Sequence, residues 1–178
     1  MKSVEEWKYP IGKFSRKTTY TPDDLLLAVK KIKSLPEELH AIVSRLEEND
    51  LDQSYRPGGW SIRQLIHHMA DSHTHAYLRS KFAFLNATPT IMDYNENLWA
   101  TCSDAQGGPI APSVLILEGI HQKWSLFFES LSSTDWKKTY QHPERKEPYT
   151  LEEVAALYSW HGEHHLKHIS CYLEKFKK

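Results

Sequence analysis

Trp160-His161-Gly162-Glu163-His164-His165-Leu166-Lys167-His168 carries four histidines within its last eight positions. On a helix, residues i and i+4 share a face one turn apart. His161 and His165 therefore point the same way, and His168 continues that line. Extended in both directions, the line runs Val154, Tyr158, His161, His165, His168 and Tyr172. Its spacing alternates four and three, as on a helix face turned toward a core. Histidines thus take places that a bundle helix ordinarily fills with apolar side chains. Burying several imidazoles without a metal or hydrogen-bond partners is costly. Three histidines with an open fourth position make a catalytic metal site, and imidazole is the commonest ligand for one.

The helices around this stretch announce themselves by their starts. Thr150-Leu151-Glu152-Glu153 reads as a capping box that opens the last helix. A second box, Ser61 with Gln64, opens another, with Trp60 stapling onto Leu65 across its first turn. That helix runs to about Asn86 without Gly or Pro. Ile62, Leu65, Ile66, Met69, Ala76 and Tyr77 give its core face, His68 lies at the edge of that face, and Asp71 follows one turn on. Upstream, Thr21-Pro22-Asp23-Asp24 reads as a cap, a first-turn proline and two acids that complement the helix dipole. Apolar residues from Leu25 to Leu46 extend it over 22–48, kinked at Pro36 or split there into two helices in one register, with Asn49-Asp50 as its end. A further helix begins near Pro112, its stripe being Leu117, Ile120, Trp124, Phe127 or Phe128, and Leu131.

Residues 1–20 read as an irregular arm. Residues 87–112 form a long connection, with room for a helical turn over Tyr94–Ala100, and 132–149 are irregular with short extended pieces. Four amphipathic helices of this kind predict an all-α four-helix bundle, one domain over residues 1–178.

Composition narrows the function. The chain has 178 residues and a net charge of -1, and its only basic block is the terminal Lys175, Lys177 and Lys178. That argues against nucleic acid as a partner. No apolar run reaches membrane-spanning length and no leader pattern opens the chain, so no membrane partner is expected. Two cysteines, Cys102 and Cys171, make no disulfide framework and suit a cytoplasmic setting. Neither has the partner spacing of a thiol nucleophile.

A bundle builds its metal sites from inward side chains on facing helices. The helix after Ser61 offers His67, His68, Asp71, Ser72, His73 and His75, and the last helix offers His161, His164, His165 and His168. One ligand from the first set and two from the second would close a three-histidine site. A histidine taken singly is more often a packed or surface residue. The i, i+4 pair on a core-facing stripe is what singles this group out. Arg56 and His142 lie in loops and read as surface residues, Trp60 has a structural task as the staple, and Trp99 and Trp124 read as core or interface.

Tyr55-Arg56-Pro57-Gly58-Gly59-Trp60-Ser61-Ile62-Arg63-Gln64-Leu65-Ile66-His67-His68-Met69-Ala70-Asp71-Ser72-His73, with Trp160-His161 through His165, resembles the DinB/YfiT-like superfamily, and within it the YfiT branch of metal-dependent hydrolases. Tyr9-Pro10-Ile11-Gly12 and His142-Pro143 extend the likeness over nearly the whole chain. The resemblance implies a bundle of up-down-down-up order with a long second connection, one divalent zinc or nickel ion per chain, and a homodimer. It implies His68, His161 and His165 as the metal ligands, leaves His67 and His164 as neighbours, and aligns Asp71 with the family's aspartate. For Asp71 the roles are general base, orienter of a ligand imidazole, or plain helix residue.

A metal on three neutral histidines can lower the pKa of bound water to about 7, which is the hydrolase chemistry expected against a small-molecule substrate. The same centre can hold a thiol as thiolate, and some superfamily members resemble S-transferases that use bacillithiol or a related thiol cosubstrate. A non-catalytic, metal-stabilised bundle is the third possibility. It would need a fourth protein ligand, for which His168 or Asp71 is available.

Overall fold

The computed structural model describes residues 4–176, so Lys177 and Lys178 of the basic terminus lie outside the described residues. A short helix α1 (Val4–Lys8) stands within the arm that the sequence suggested was irregular. The four long helices are α2 (Pro22–Val43), α4 (Ile62–Leu85), α7 (Ala111–Glu129) and α8 (Leu151–Phe176). Between them come the short helices α3 (Glu48–Leu51), α5 (Glu96–Trp99) and α6 (Ser103–Gly107). Strands β1 (Thr139–Tyr140) and β2 (Tyr149–Thr150) pair antiparallel just before α8.

The helix starts follow their caps. Thr21 accepts from the Asp24 backbone N–H, and the Asp24 carboxylate accepts from Thr21 N–H in return. Ser61 and Gln64 do the same for α4. At α8 only half of the expected box forms. Thr150 Oγ1 accepts from Glu153 N–H at 3.2 Å, but Arg16 and Arg145 claim the Glu153 carboxylate. The expected 22–48 helix stops at Val43, capped at Ser44, and a new turn begins at Glu47. The Asp50 carboxylate explains that break: it accepts from Glu47 N–H at 2.7 Å and from the Tyr172 hydroxyl at 2.8 Å. Pro36 stays inside α2, which continues through it.

Contacts between the long helices give their order and direction. α2 packs beside α8 and α7, and α4 beside α7 and α8, so α2 lies diagonal to α4 and α7 diagonal to α8. Lys33 pairs with Glu129 and His40 with Glu118, so α2 and α7 run antiparallel. His67 meets Ser113 and Phe84 meets Phe127, so α4 and α7 run parallel. His68 meets His165 while His73 meets Tyr158, so α4 and α8 run antiparallel. The bundle is therefore up-down-down-up, with the long second connection spanning α4 to α7.

The core falls into two apolar clusters. One gathers Val29, Ile32, Ala76, Trp124, Phe128 and Val154, the other Leu35, Leu39, Ile66, Met69, Leu117 and Ile169. The boundary between them crosses every long helix, and on α4, α7 and α8 it is marked by His73, His121 and His161. Gly162 lies at that level because α2 comes close: a Cβ there would sit 2.3 Å from Leu35 Cδ1. Gly162→Ala gains about 1 kcal/mol of helix propensity but crowds a buried leucine. Overpacking costs about 1–3 kcal/mol, so the net expectation is lower stability in urea denaturation. A more stable variant would mean that Leu35 gives way freely.

Candidate metal centre

His161 and His165 project from α8 one turn apart, and His68 reaches them from the antiparallel α4. His68 Nε2 lies 3.3 Å from His161 Nε2, and His165 Nε2 lies 3.2 Å from the same atom. Two ligands about 2.0–2.1 Å from a tetrahedral zinc would be about 3.3–3.4 Å apart. The spacing thus fits a small divalent ion held by the three Nε2 atoms. The nitrogens of all three lie within 4.8 Å of one another, and among the described residues no fourth His, Cys, Asp or Glu joins them.

The three imidazoles are themselves held in place. Trp60 does more than staple the helix start, because its ring packs on His68 at 4.8 Å between centroids. The Tyr94 hydroxyl stands 3.4 Å from His68 Nδ1, a long hydrogen bond. His161 Nδ1 is 2.9 Å from His73 Nε2, and His73 Nδ1 is 2.7 Å from His121 Nε2. His121 Nδ1 in turn meets the Ile32 carbonyl. Neither His73 nor His121 has solvent exposure.

A cavity of about 350 Å³ opens over the three imidazoles, lined by Trp60, Ser72, Tyr94, Glu96 and Tyr158. His165 is buried, and His161 keeps partial exposure toward this cavity. A larger cavity of about 470 Å³, lined by Leu25, Val29, Phe128 and Trp136, contains none of the histidines.

Asp71 does not join the group. It makes no hydrogen bond to a ligand imidazole, and burial first and Asp104 second raise its carboxyl to about 6. The Tyr94 hydroxyl, rather than the Asp71 carboxylate, is the group that stands within hydrogen-bond distance of His68 Nδ1. His67 bonds Ser113 at 2.8 Å and His164 stacks on Trp160 at 4.6 Å, both as neighbours. His142 faces Asp93 at 3.3 Å, and Arg56 bonds the Tyr55 hydroxyl at 3.0 Å.

His164, His165 and His168 form a second group with metal-like spacing. It is the weaker candidate. All three lie on one helix and His165 is shared with the first group; their Nδ1 atoms are buried without a hydrogen-bond partner, and His168 Nε2–H donates to the Lys8 carbonyl at 3.1 Å. Its imidazole stacks on Tyr55 at 4.0 Å.

His121 is not among the residues that the sequence singles out, and His73 stands there only as one of several histidines on its helix. A signal was present: 117, 121, 124 and 128 follow a four-three-four spacing, so His121 sits on the inward stripe of α7.

The fold and site together define a helical bundle with an open three-histidine centre at a helix seam. The chain belongs to the DinB superfamily, whose pattern matches residues 31–169. Over 162 residues it is 39% identical to a protein of Halalkalibacterium halodurans provisionally named a metal-dependent hydrolase, covering 91% of this chain and 94% of that one. A Bacillus licheniformis protein with the same provisional name is 37% identical over 172 residues, covering 97% of this chain and 98% of its own length. YfiT from Bacillus subtilis, likewise provisionally identified as a metal-dependent hydrolase with an unusual four-helix bundle topology, superposes with a TM-score of 0.92. It is 31% identical, over 96% of this chain and 97% of its own. No described helix is long and apolar enough to cross a membrane.

Burial also fixes how the layer responds to acid. It holds His68, His121 and His164 at about 4 and His168 at about 3, against about 6.5 for a free imidazole. Below about pH 6.5 the unfolded chain takes up protons that the folded chain refuses, so stability present above that pH is lost as pH falls toward 4. A buried histidine such as His121 contributes about 1.4 kcal/mol per pH unit inside that window. Urea midpoints of the metal-free protein should be level near pH 7–8 and fall steeply from about 6.5 to 4.5. A flat profile would contradict a layer of neutral buried imidazoles.

Proposed function

We propose that this protein is a metal-dependent hydrolase acting on a small-molecule substrate, with one zinc or nickel ion held by His68, His161 and His165. The observation that carries the proposal is the set of three convergent Nε2 atoms facing a cavity, with no fourth protein ligand among the described residues. When bound, such an ion supplies Lewis-acid polarisation and makes a coordinated water more acidic.

The chain's own residues supply the rest. Burial keeps the ligand imidazoles neutral, so protons do not compete for their lone pairs near pH 7. Trp60 walls one side of the cavity and braces His68. The hydroxyls of Ser72, Tyr94 and Tyr158 present polar groups to a bound molecule. Among nearby acids Glu96 lines the cavity and Asp71 does not, so Glu96 is the better placed to accept a proton.

A closed structural metal site is less well supported, because His168 and Asp71 both stand outside the ligand group. Protein made in metal-replete medium should carry about one divalent ion per chain. His161→Ala and His165→Ala should each lose it and keep their helical circular dichroism. Elemental analysis showing no metal in the parent would overturn the proposal. In an activity screen, metal-dependent hydrolysis of esters or amides supports it. Conjugation of a low-molecular-weight thiol to an electrophile, with no hydrolysis, would replace the hydrolase assignment with a transferase.

A further inference from the structure

Pro36 lies four residues after Ile32. In a continuous helix the Ile32 carbonyl would accept from the N–H at position 36, and proline has none. α2 runs unbroken through this point, so the Ile32 carbonyl is left without its helical donor. It points instead at His121 Nδ1 on α7.

That contact sets the direction of every hydrogen bond after it. A carbonyl only accepts, so the His121 proton is on Nδ1. A neutral imidazole has one N–H and one lone pair, so His121 Nε2 accepts from His73 Nδ1–H at 2.7 Å. His73 Nε2 then accepts from His161 Nδ1–H at 2.9 Å. The His161 proton is thereby held on Nδ1, and the Nε2 lone pair faces His68 and His165. His73 and His121 lie at zero exposure, and each ring–ring contact takes one N–H and one lone pair, which is what neutral imidazoles supply.

We propose that the Ile32 carbonyl freed by Pro36, His121 and His73 form a positioning relay, one group from each of α2, α7 and α4, that fixes the His161 tautomer on α8 and presents its Nε2 as a ready-made metal ligand. The hydrogen-bond chain stands on its own geometry, and its use in presenting a metal ligand rests on His161 being one, as proposed above. Ligand imidazoles commonly donate their other N–H to a carbonyl or carboxylate, and loss of such partners costs about 10–100-fold in metal affinity. Here the carbonyl acts across two further imidazoles.

Long-range proton–nitrogen spectra of the metal-free protein near neutral pH test the relay without any metal. The expected result is the Nδ1–H tautomer at His121, His73 and His161. His161 as the Nε2–H tautomer, or as an even mixture, overturns the proposal. His121→Phe should disturb the His161 tautomer and weaken zinc binding by about 10–100-fold. His121→Gln, whose amide can donate to Ile32 and accept from His73, should recover part of both. Pro36→Ala restores a competing N–H and leaves the core volume nearly intact, so it should shift both readouts in the same direction but by less. Unchanged tautomer and affinity in both His121→Phe and Pro36→Ala overturn the relay. A parent that binds no zinc yet shows the Nδ1–H pattern would refute the metal function and leave the relay standing.

Discussion

The structure depends on one requirement: a layer of imidazoles crosses the middle of the bundle, and buried ring nitrogens must find partners. An unsatisfied buried polar group costs about 1–3 kcal/mol. His73 and His121 lie at zero exposure in the plane between two apolar clusters. They are tolerated because one chain of hydrogen bonds runs from α8 through α4 and α7 to a backbone carbonyl on α2. The end of that chain at His161 is where the candidate metal centre begins. The same contacts therefore serve the stability of the bundle and the orientation of the His161 imidazole.

The helix order makes this possible. With α4 antiparallel to α8, His68 meets His165 and His73 meets His161 across one seam. With α4 parallel to α7, the same level of α4 also meets His121. With α2 antiparallel to α7, Ile32 arrives at that level from the remaining side. The long connection from α4 to α7 then runs past the open seam, so Tyr94 and Glu96 reach the cavity from just before and within α5. Gly162 completes the geometry by letting α2 approach α8 beside the ligand.

Much of this was legible in the sequence. The caps at Thr21 and Ser61 and the four-three spacing placed the long helices, and His161 and His165 followed from the stripe on α8. The choice of His68 over His67, the bundle order and zinc or nickel as the metal came from the family resemblance, since periodicity alone leaves both histidines near the core edge. Three things were missed for physical reasons. The end of α2 at Val43 depends on Asp50 binding Tyr172, a contact between distant parts of the chain. Glu153 was expected to complete its own cap, but two arginines from elsewhere hold it. Pro36 read as a kink or a break between two helices, because its effect, a freed carbonyl, has no meaning until His121 is known to face it.

His68, His161 and His165 are proposed to hold a metal ion through Nε2. Histidine nitrogen spectra recorded while zinc is added to the metal-free protein test it directly. The Nε2 resonances of these three residues should move together and stop at about one equivalent, with His164 and His168 little changed. Zinc-dependent shifts at Nδ1 of His164 and His168, with His68 unmoved, would place the ion in the other histidine group and contradict it.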